Sequence, residues 1–451
     1  MKPWLFVAVA VTGFLNSTIA AQDRSAGAPA PADPRVAAMV GTYCAGCHNG
    51  RMKSPTDAVL DPFDPARVAE DRDVWARAYR QLLAGTMPPV GAPRPDRATY
   101  DAVVNSIEDA LGAREALPAA DSQTIATRLA TMLWNGTPDT ALLDAAQHNG
   151  LADPAAVERQ VRRMLGDARA QAFVSDFFFR WLQLDGLEKA DPDLKHFPDY
   201  VPTLRDALAK ETELFVLSQL RDDRDPLDLW RADYTFLNDQ LAAHYGVSGV
   251  TGSQFRRVTV SAPARAGLLG QGSIMMVTSR HQHGVDAGYT SPATRALWVQ
   301  FHFLGVPPPR AFPGAQPVKP ELPITPQTRA LPVSPCVTCH RNFFPLGYAL
   351  ENFDPIGRWR TRDQAGPVDA SGSFVDGTPT NGVIELRQVL LQRPEAFRTT
   401  MVERLLIYSA TGTVAVRKPG AASTLIDARR ILRATPEPRW SSLIAAVARA
   451  R

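Results

Sequence analysis

The chain has 451 residues, 45% of them hydrophobic, and its 49 Lys and Arg against 46 Asp and Glu give a formal net charge of +3 at pH 7. A charge so nearly balanced, with no basic stripe, excludes a nucleic-acid partner, and apolar residues spread along the whole chain exclude a disordered protein. The length has room for about three domains of ordinary size.

The first twenty residues read as a secretory signal: Lys2, an apolar stretch from Trp4 to Leu15, then the small-residue end Ser17-Thr18-Ile19-Ala20. Its apolar core is shorter than the roughly 20 residues a spanning helix needs, and no later stretch is long and apolar enough, so the mature chain is expected to have no transmembrane span. An uncleaved N-terminal anchor differs from this reading mainly in length and flanks. Cleavage removes Lys2 and leaves a formal charge of +2. Residues 21–34, rich in Ala and Pro, read as a disordered linker.

All four cysteines fall in two copies of one pattern, Cys44-Ala45-Gly46-Cys47-His48 and Cys336-Val337-Thr338-Cys339-His340. Thiols at this spacing each form a thioether to a haem vinyl group, and the adjacent imidazole binds the iron, so each copy predicts one covalent haem c. Zinc would need a further Cys or His pair at ligand spacing, which neither copy has. No cysteine remains for a disulfide outside these patterns. Covalent haem belongs with export in a bacterium, which agrees with the signal and predicts the periplasm, the cell surface or the medium.

Residues 35–113 predict a small haem domain. A short helix leads into Cys44, and Asp71 to Leu83 carries Trp75, Tyr79, Leu82 and Leu83 on one helical face. Gly85 ends that helix, and Thr86-Met87-Pro88-Pro89 follows as a stiff loop whose prolines cannot continue it. Asp96 caps a closing helix with Tyr100, Val103, Val104, Ile107 and Leu111 along one side. This is the element order of a class I cytochrome c, with His48 and Met87 as axial ligands; the alternative for Met87 is a core gap-filler. A domain of about 70 residues has a marginal core, so haem is expected to supply much of its buried apolar surface.

Residues 121–252 predict a helical domain. Ile125, Leu129, Met132 and Leu133 form one stripe, and the N-cap Asp153-Pro154 precedes Val157, Val161, Met164 and Leu165. Phe173, Phe177 and Trp181, flanked by Val174, Phe178 and Leu184, read as core, with an aromatic electron route as the alternative. Glu211 and Glu213 lie two apart on one helix and do not share a face, so they make no acid/base pair.

Residues 262–305 are a connecting helical segment containing the polar loop with Arg280, His281 and His283, then a helix around Arg295 to Leu304. Ten of the thirty residues from Val306 to Pro335 are proline, and 306–335 therefore reads as an extended strap delivering the chain to Cys336. Residues 336–451 form a second haem domain with C-terminal helices. Its apolar run Phe343 to Phe353 is expected to wall the haem, and Arg358, Trp359 and Arg360 are candidate donors to the propionates, with solvated surface arginines as the alternative.

The arrangement resembles the secreted, planctomycete-type di-haem cytochrome c proteins, built from an N-terminal cytochrome c module followed by several domains of unknown function. The words that carry the resemblance are TMPP at Met87, RLATMLWNGTPD at Arg128 to Asp139, DYTFLNDQLAAHYG at Asp233 to Gly246, TSPATRALWV at Thr290 to Val299, and CVTCHRNFFPLGYALENFDPIGRWR at Cys336 to Arg360. It implies haem residues at Cys44, Cys47, His48, Cys336, Cys339 and His340, and a role described only as haem-binding and electron-transferring. The chain departs from the family where Ser409-Ala410-Thr411-Gly412 stands in place of a glycine-rich continuation.

The resulting fold class is mainly α: a cytochrome c-like N-terminal domain, a helical middle region and a second haem-bearing domain after the strap. The sixth ligand of the second iron is open. No Met-Pro-Pro follows His340, Met401 reads better as core, and His281 and His283 are better candidates than His148, His196, His244 or His302. With both irons capped by side chains, the protein relays electrons between redox partner proteins. With an open second iron, Arg280, His281 and His283 are candidate distal acid/base and charge-stabilising groups of a haem oxidoreductase acting on a small-molecule oxidant or substrate. A scaffold presenting a sensor haem is the third reading.

Overall fold

In the computed structural model the described residues are 34–51, 58–60, 63–112, 115–279, 290–307, 344–363, 366–414 and 420–450. The signal, the linker before Pro34, most of the strap, and the predicted site residues Arg280, His281, His283, Cys336, Cys339 and His340 lie outside them. The protein is mainly helical.

The N-terminal module comprises α1 (Pro34–Met39), a π-helical turn at Val40–Cys44, α2 (Pro65–Glu70), α3 (Arg72–Leu83) and α4 (Arg97–Ala110). The body follows with α5 (Ser122–Trp134), α6 (Thr140–Ala146), α7 (Pro154–Gly166), α8 (Pro202–Arg221), α9 (Asp239–Tyr245), α10 (Gly272–Val277) and α11 (Pro292–His302). It closes with α12 (Gly382–Leu391), α13 (Pro394–Thr411), α14 (Ala422–Ala434) and α15 (Trp440–Arg449). Strands among the described residues are short antiparallel pairs: β1 (Tyr234–Leu237) with β2 (Arg256–Thr259), β3 (Arg362–Asp363) with β4 (Gly366–Pro367), and β5 (Ser371–Ser373) with β6 (Pro379–Asn381).

Aspartates set several helix starts. A carboxylate just ahead of the first turn accepts from amides that have no partner inside the helix, a cap worth about 1 kcal/mol. Asp96 accepts from Thr99 N at 2.9 Å, Asp121 from Thr124 N at 2.8 Å, Asp139 from Leu142 N at 3.0 Å, and Asp153 from Ala155 N at 3.1 Å with Pro154 in the first turn. The apolar stripes behind them are buried as the periodicity predicts, including Ile125, Leu129, Val157, Val161 and Met164.

The aromatic segment departs from a regular helix. After a short α-turn at Gln171–Phe173, Val174–Phe179 is π-helical. The wider turn rotates two adjacent phenylalanines inward together, with Phe177 and Phe178 ring centroids 5.0 Å apart and nearly perpendicular. Phe173, Phe177, Phe178 and Trp181 are fully buried and pack against Phe397, Tyr408 and Trp440 of the C-terminal helices. This aromatic core ties α13 and α15 to the middle of the chain.

The module has its own smaller core of Val36, Met39, Val40, Val68, Trp75, Tyr79, Val103, Ile107 and Leu111. Ala422, Leu425 and Ile426 of α14 belong to that same cluster, so the module's apolar interior is completed by a helix from the far end of the chain.

Candidate functional site

The π-helical turn Val40–Cys44 delivers the first cysteine, and its carbonyl organises the residues that follow. Cys44 O accepts from Cys47 N at 3.0 Å and from His48 N at 2.8 Å, winding the pattern into a tight turn. Cys44 is half-buried, Cys47 is exposed, and both thiols are unbridged. Burial, with the neighbouring Cys47 adding to it, pushes the Cys44 thiol up to about 11.

His48 is held from the residues across the turn. Its Nδ1 lies 3.2 Å from Ala58 O, and its own carbonyl accepts from Leu60 N at 2.9 Å. A hydrogen bond from Nδ1 to a backbone carbonyl places the ring proton there, orients the ring and leaves Nε2 as the metal-binding nitrogen.

Met87 sits on the loop between α3 and α4, half-buried, and packs with Cys44 against the same small apolar core. The single hydroxyl proton of Tyr100 is shared between Leu82 O at 2.7 Å and Met87 O at 2.8 Å; an Arg94 guanidinium nitrogen donates to Gly85 O at 2.9 Å and also to Pro88 O. Gly85 has φ +75°, a left-handed backbone that ends α3 and turns the chain into the loop. Two thiols and an oriented imidazole on one turn, with Cys44 and the Met87 thioether packed on the same apolar core, are residues that a covalent haem would fit. Among the described residues no three or more His, Cys, Asp or Glu are grouped as a metal site; iron in a porphyrin takes its other four ligands from the macrocycle.

Around the second motif the described residues are its flanks. Arg295, fully buried on α11, donates to Leu350 O at 2.6 Å, to Glu351 Oε1 at 3.1 Å and to Ser279 Oγ at 3.3 Å. Thr290 Oγ1 donates to the other Glu351 oxygen, and Arg360 donates there too at 3.1 Å. Ser279 and Thr290, which flank 280–289, are therefore anchored on one buried ion pair together with the residues that follow the second motif. Gly347 is required here, since a Cβ would fall 1.9 Å from Pro292 O. Arg360 is engaged by Glu351, and Arg358 lies 3.3 Å from His244 Nδ1 and 3.7 Å from Asp199, so both arginines have partners within the chain. Trp359 is exposed.

The remaining candidates are placed as ordinary residues. Met401 is fully buried in the body core. His148 is exposed, His196 faces Asp193, and His244 Nε2 is 2.8 Å from Ile356 O. His302 is buried against Trp298, and burial, helped by Arg404, keeps it neutral well below the usual histidine range.

Sequence reasoning missed the joint between module and body. Arg80 of α3 forms a two-pronged pair with Glu403 of α13, both almost fully buried, and also donates to Gly420 O at 2.9 Å. Glu108 of α4 accepts from Tyr79 Oη at 2.9 Å, Arg429 at 3.0 Å and Arg433 at 2.7 Å. Burial would raise the Glu108 carboxyl, but Arg433 and Arg429 outweigh it and hold it below the usual range. Arg429 and Arg433 at i, i+4 on one helix were the only local signal, and nothing in it named partners more than three hundred residues away. Beside the joint lies a cleft of about 450 Å³ whose lining includes Tyr79, Arg94, Tyr100, Asp376, Arg393 and Arg429.

Residues 121–247 match the family described as PSD4, protein of unknown function (DUF1592), and residues 265–363 match PSCyt3, protein of unknown function (DUF1588). These are domains of unknown function typical of planctomycete cytochrome c-like proteins. The range of the second match includes the strap and the second Cys-x-x-Cys-His pattern. No curated protein and no solved structure matches the chain. No helix among the described residues is long and apolar enough to cross a membrane.

Proposed function

We propose that the protein is an exported di-haem c-type cytochrome that transfers electrons between redox partner proteins of the periplasm or cell surface. The observation that carries this reading is the arrangement around His48: an imidazole oriented through Nδ1 by Ala58 O, next to two unbridged thiols on one turn. Haem, when bound, supplies the one-electron couple. The chain supplies the rest. Cys44 and Cys47 would hold the group covalently, and His48 through Nε2 and Met87 through its thioether would bind its iron and exclude water and substrates, which favours electron transfer over catalysis. Cys47 is exposed, so the attachment reaches the surface a partner protein approaches. The second group belongs on Cys336, Cys339 and His340 by the same spacing argument. Cytochrome c-like architecture for the module is part of this proposal and rests on the order of α1, the Cys-x-x-Cys-His turn, α3, the Met87 loop and α4.

The test is the oxidised holoprotein, produced with haem-maturation machinery. Two porphyrins are expected to survive acid-acetone extraction, and spin-resonance spectra to show two low-spin irons. Loss of both porphyrins on extraction would overturn the cytochrome reading. One high-spin iron that binds cyanide would overturn the relay in favour of a haem enzyme with an open second site.

A further inference from the structure

The thioether of methionine is a weak, neutral ligand, so its hold on iron depends on how firmly its loop is kept in place. The loop here has few backbone partners of its own, because Pro88 and Pro89 carry no N–H. Side chains hold it instead. Tyr100 takes the carbonyls of Leu82 and Met87, and Arg94 takes those of Gly85 and Pro88.

A second layer comes from outside the module. Arg393, at the end of α12, lies against Gly85: a Cβ there would sit 3.2 Å from the Arg393 Nε. Arg393 is itself fixed three ways, by Asp376, by Val389 O at 3.0 Å and by the face of Phe374 at 4.2 Å from the ring centroid. On the other side of Met87, a Cβ on Gly377 would lie 3.7 Å from Val90 Cγ1. The body thus lies close to the loop on both sides of its methionine, two residues before it and three after, near enough that a single added methyl group would bridge the gap.

We propose that the axial methionine of the first haem is positioned from outside its own module, with the Asp376–Arg393 pair of the body backing the loop that Tyr100 and Arg94 clamp. Arg393 is then a positioning residue that lets docking of the body set the potential of the first haem. This rests on the reading of Met87 as an axial ligand.

The test compares full-length holoprotein variants Met87→Ala, Tyr100→Phe, Arg393→Ala and Arg393→Lys. The readouts are the methionine–iron charge-transfer band of the oxidised protein and the potential of the first haem, with the second haem as internal reference. Met87→Ala abolishes the band. Arg393→Ala and Tyr100→Phe keep haem attached but raise the fraction of first haem lacking methionine by about fivefold, the equivalent of one lost hydrogen bond. They also lower its potential while the second haem stays put, and Arg393→Lys restores part of the band. Wild-type band and potential in Arg393→Ala would overturn the proposal and leave Arg393 a packing contact. If Met87→Ala itself moves neither readout, the axial-ligand assignment fails instead. Should Arg393→Ala not accumulate, Asp376→Asn loosens the same pair and is read against the same two outcomes.

Discussion

The joint between module and body and the site of Glu211 inside the body bury charge in opposite ways. At the joint every buried carboxylate meets arginine: Glu403 meets Arg80, and Glu108 meets Arg429 and Arg433. Inside the body, Glu211 is 1% exposed and bonded only to hydroxyls, Thr235 Oγ1 and Tyr245 Oη, each at 2.6 Å. The consequence is visible in their protonation. Glu108 is held below the usual carboxylate range, whereas burial pushes Glu211 up to about 7, against the smaller opposing effects of Thr235, Tyr245 and Arg265. The joint is specified by ion pairs, whereas the aromatic core of the body needs none; the body's own buried pair, Arg295 with Glu351, lies on the flanks of the second motif. A small module with a marginal core has been attached by directional contacts, where a large domain relies on area.

The largest expected effect breaks the comparison on the module's side. In Cys44→Ser with Cys47→Ser, haem 1 is no longer attached, and residues 34–112 should become protease-sensitive while the body keeps its helical signal and its unfolding transition. Limited proteolysis with mass analysis reads this directly. A module that stays protected would mean that α14 and the ion pairs are enough to fold it. Next in size, Glu403→Ala leaves the Arg80 guanidinium buried without its carboxylate and should destabilise the docked module by about 3–5 kcal/mol. The double change Arg80→Met with Glu403→Met removes both charges and should cost less than the single one. Denaturant midpoints for the two variants check the order, and equal losses would show that water reaches the pair.

What could be read in advance divides along the same line. Helices announced themselves because caps and stripes are local: Asp96 and Asp153 sit where the chain must satisfy free amides, and Ile125, Leu129 and Leu133 repeat at the helical period. The pattern Cys44 to His48 stood out as a candidate because it is confined to five consecutive residues. The joint was not, since Arg80 and Glu403 are ordinary helical surface types until the fold brings them together. Nor was the π-helical turn at Val174–Phe179, where the pattern of phenylalanines fits an α-helix and only packing against Tyr408 and Trp440 selects the wider turn. Glu211 was set aside because Glu213 is on a different face. Its actual partner, Tyr245, lies on another helix, α9.

Glu211 gives the smallest and sharpest test, because its folded-state value of about 7 exceeds its ordinary value of 4.5. Below about pH 4.5 both folded and unfolded chains carry the proton, and the group contributes nothing to pH dependence. Between about 4.5 and 7 the unfolded chain has released its proton while the folded chain keeps it, so folding takes up a proton and stability falls as pH rises. Above 7 both forms are ionised and the loss levels off at about 3 kcal/mol, an upper figure set by the difference between the two values. Glu211→Gln keeps one acceptor oxygen for one of the Thr235 and Tyr245 hydroxyls, turns an amide NH2 toward the other, and has no proton to exchange. Apart from a constant offset, its stability should gain on the wild type as pH is raised from 4 to 8, with the two proteins diverging through the interval just named. Parallel curves would mean that Glu211 is ionised in the folded protein and draws on Arg265, whose guanidinium lies 3.9 Å from the centre of the Tyr245 ring. In that case the body's buried carboxyl would follow the rule of the joint, and the contrast between the two regions would be one of distance to arginine rather than of kind.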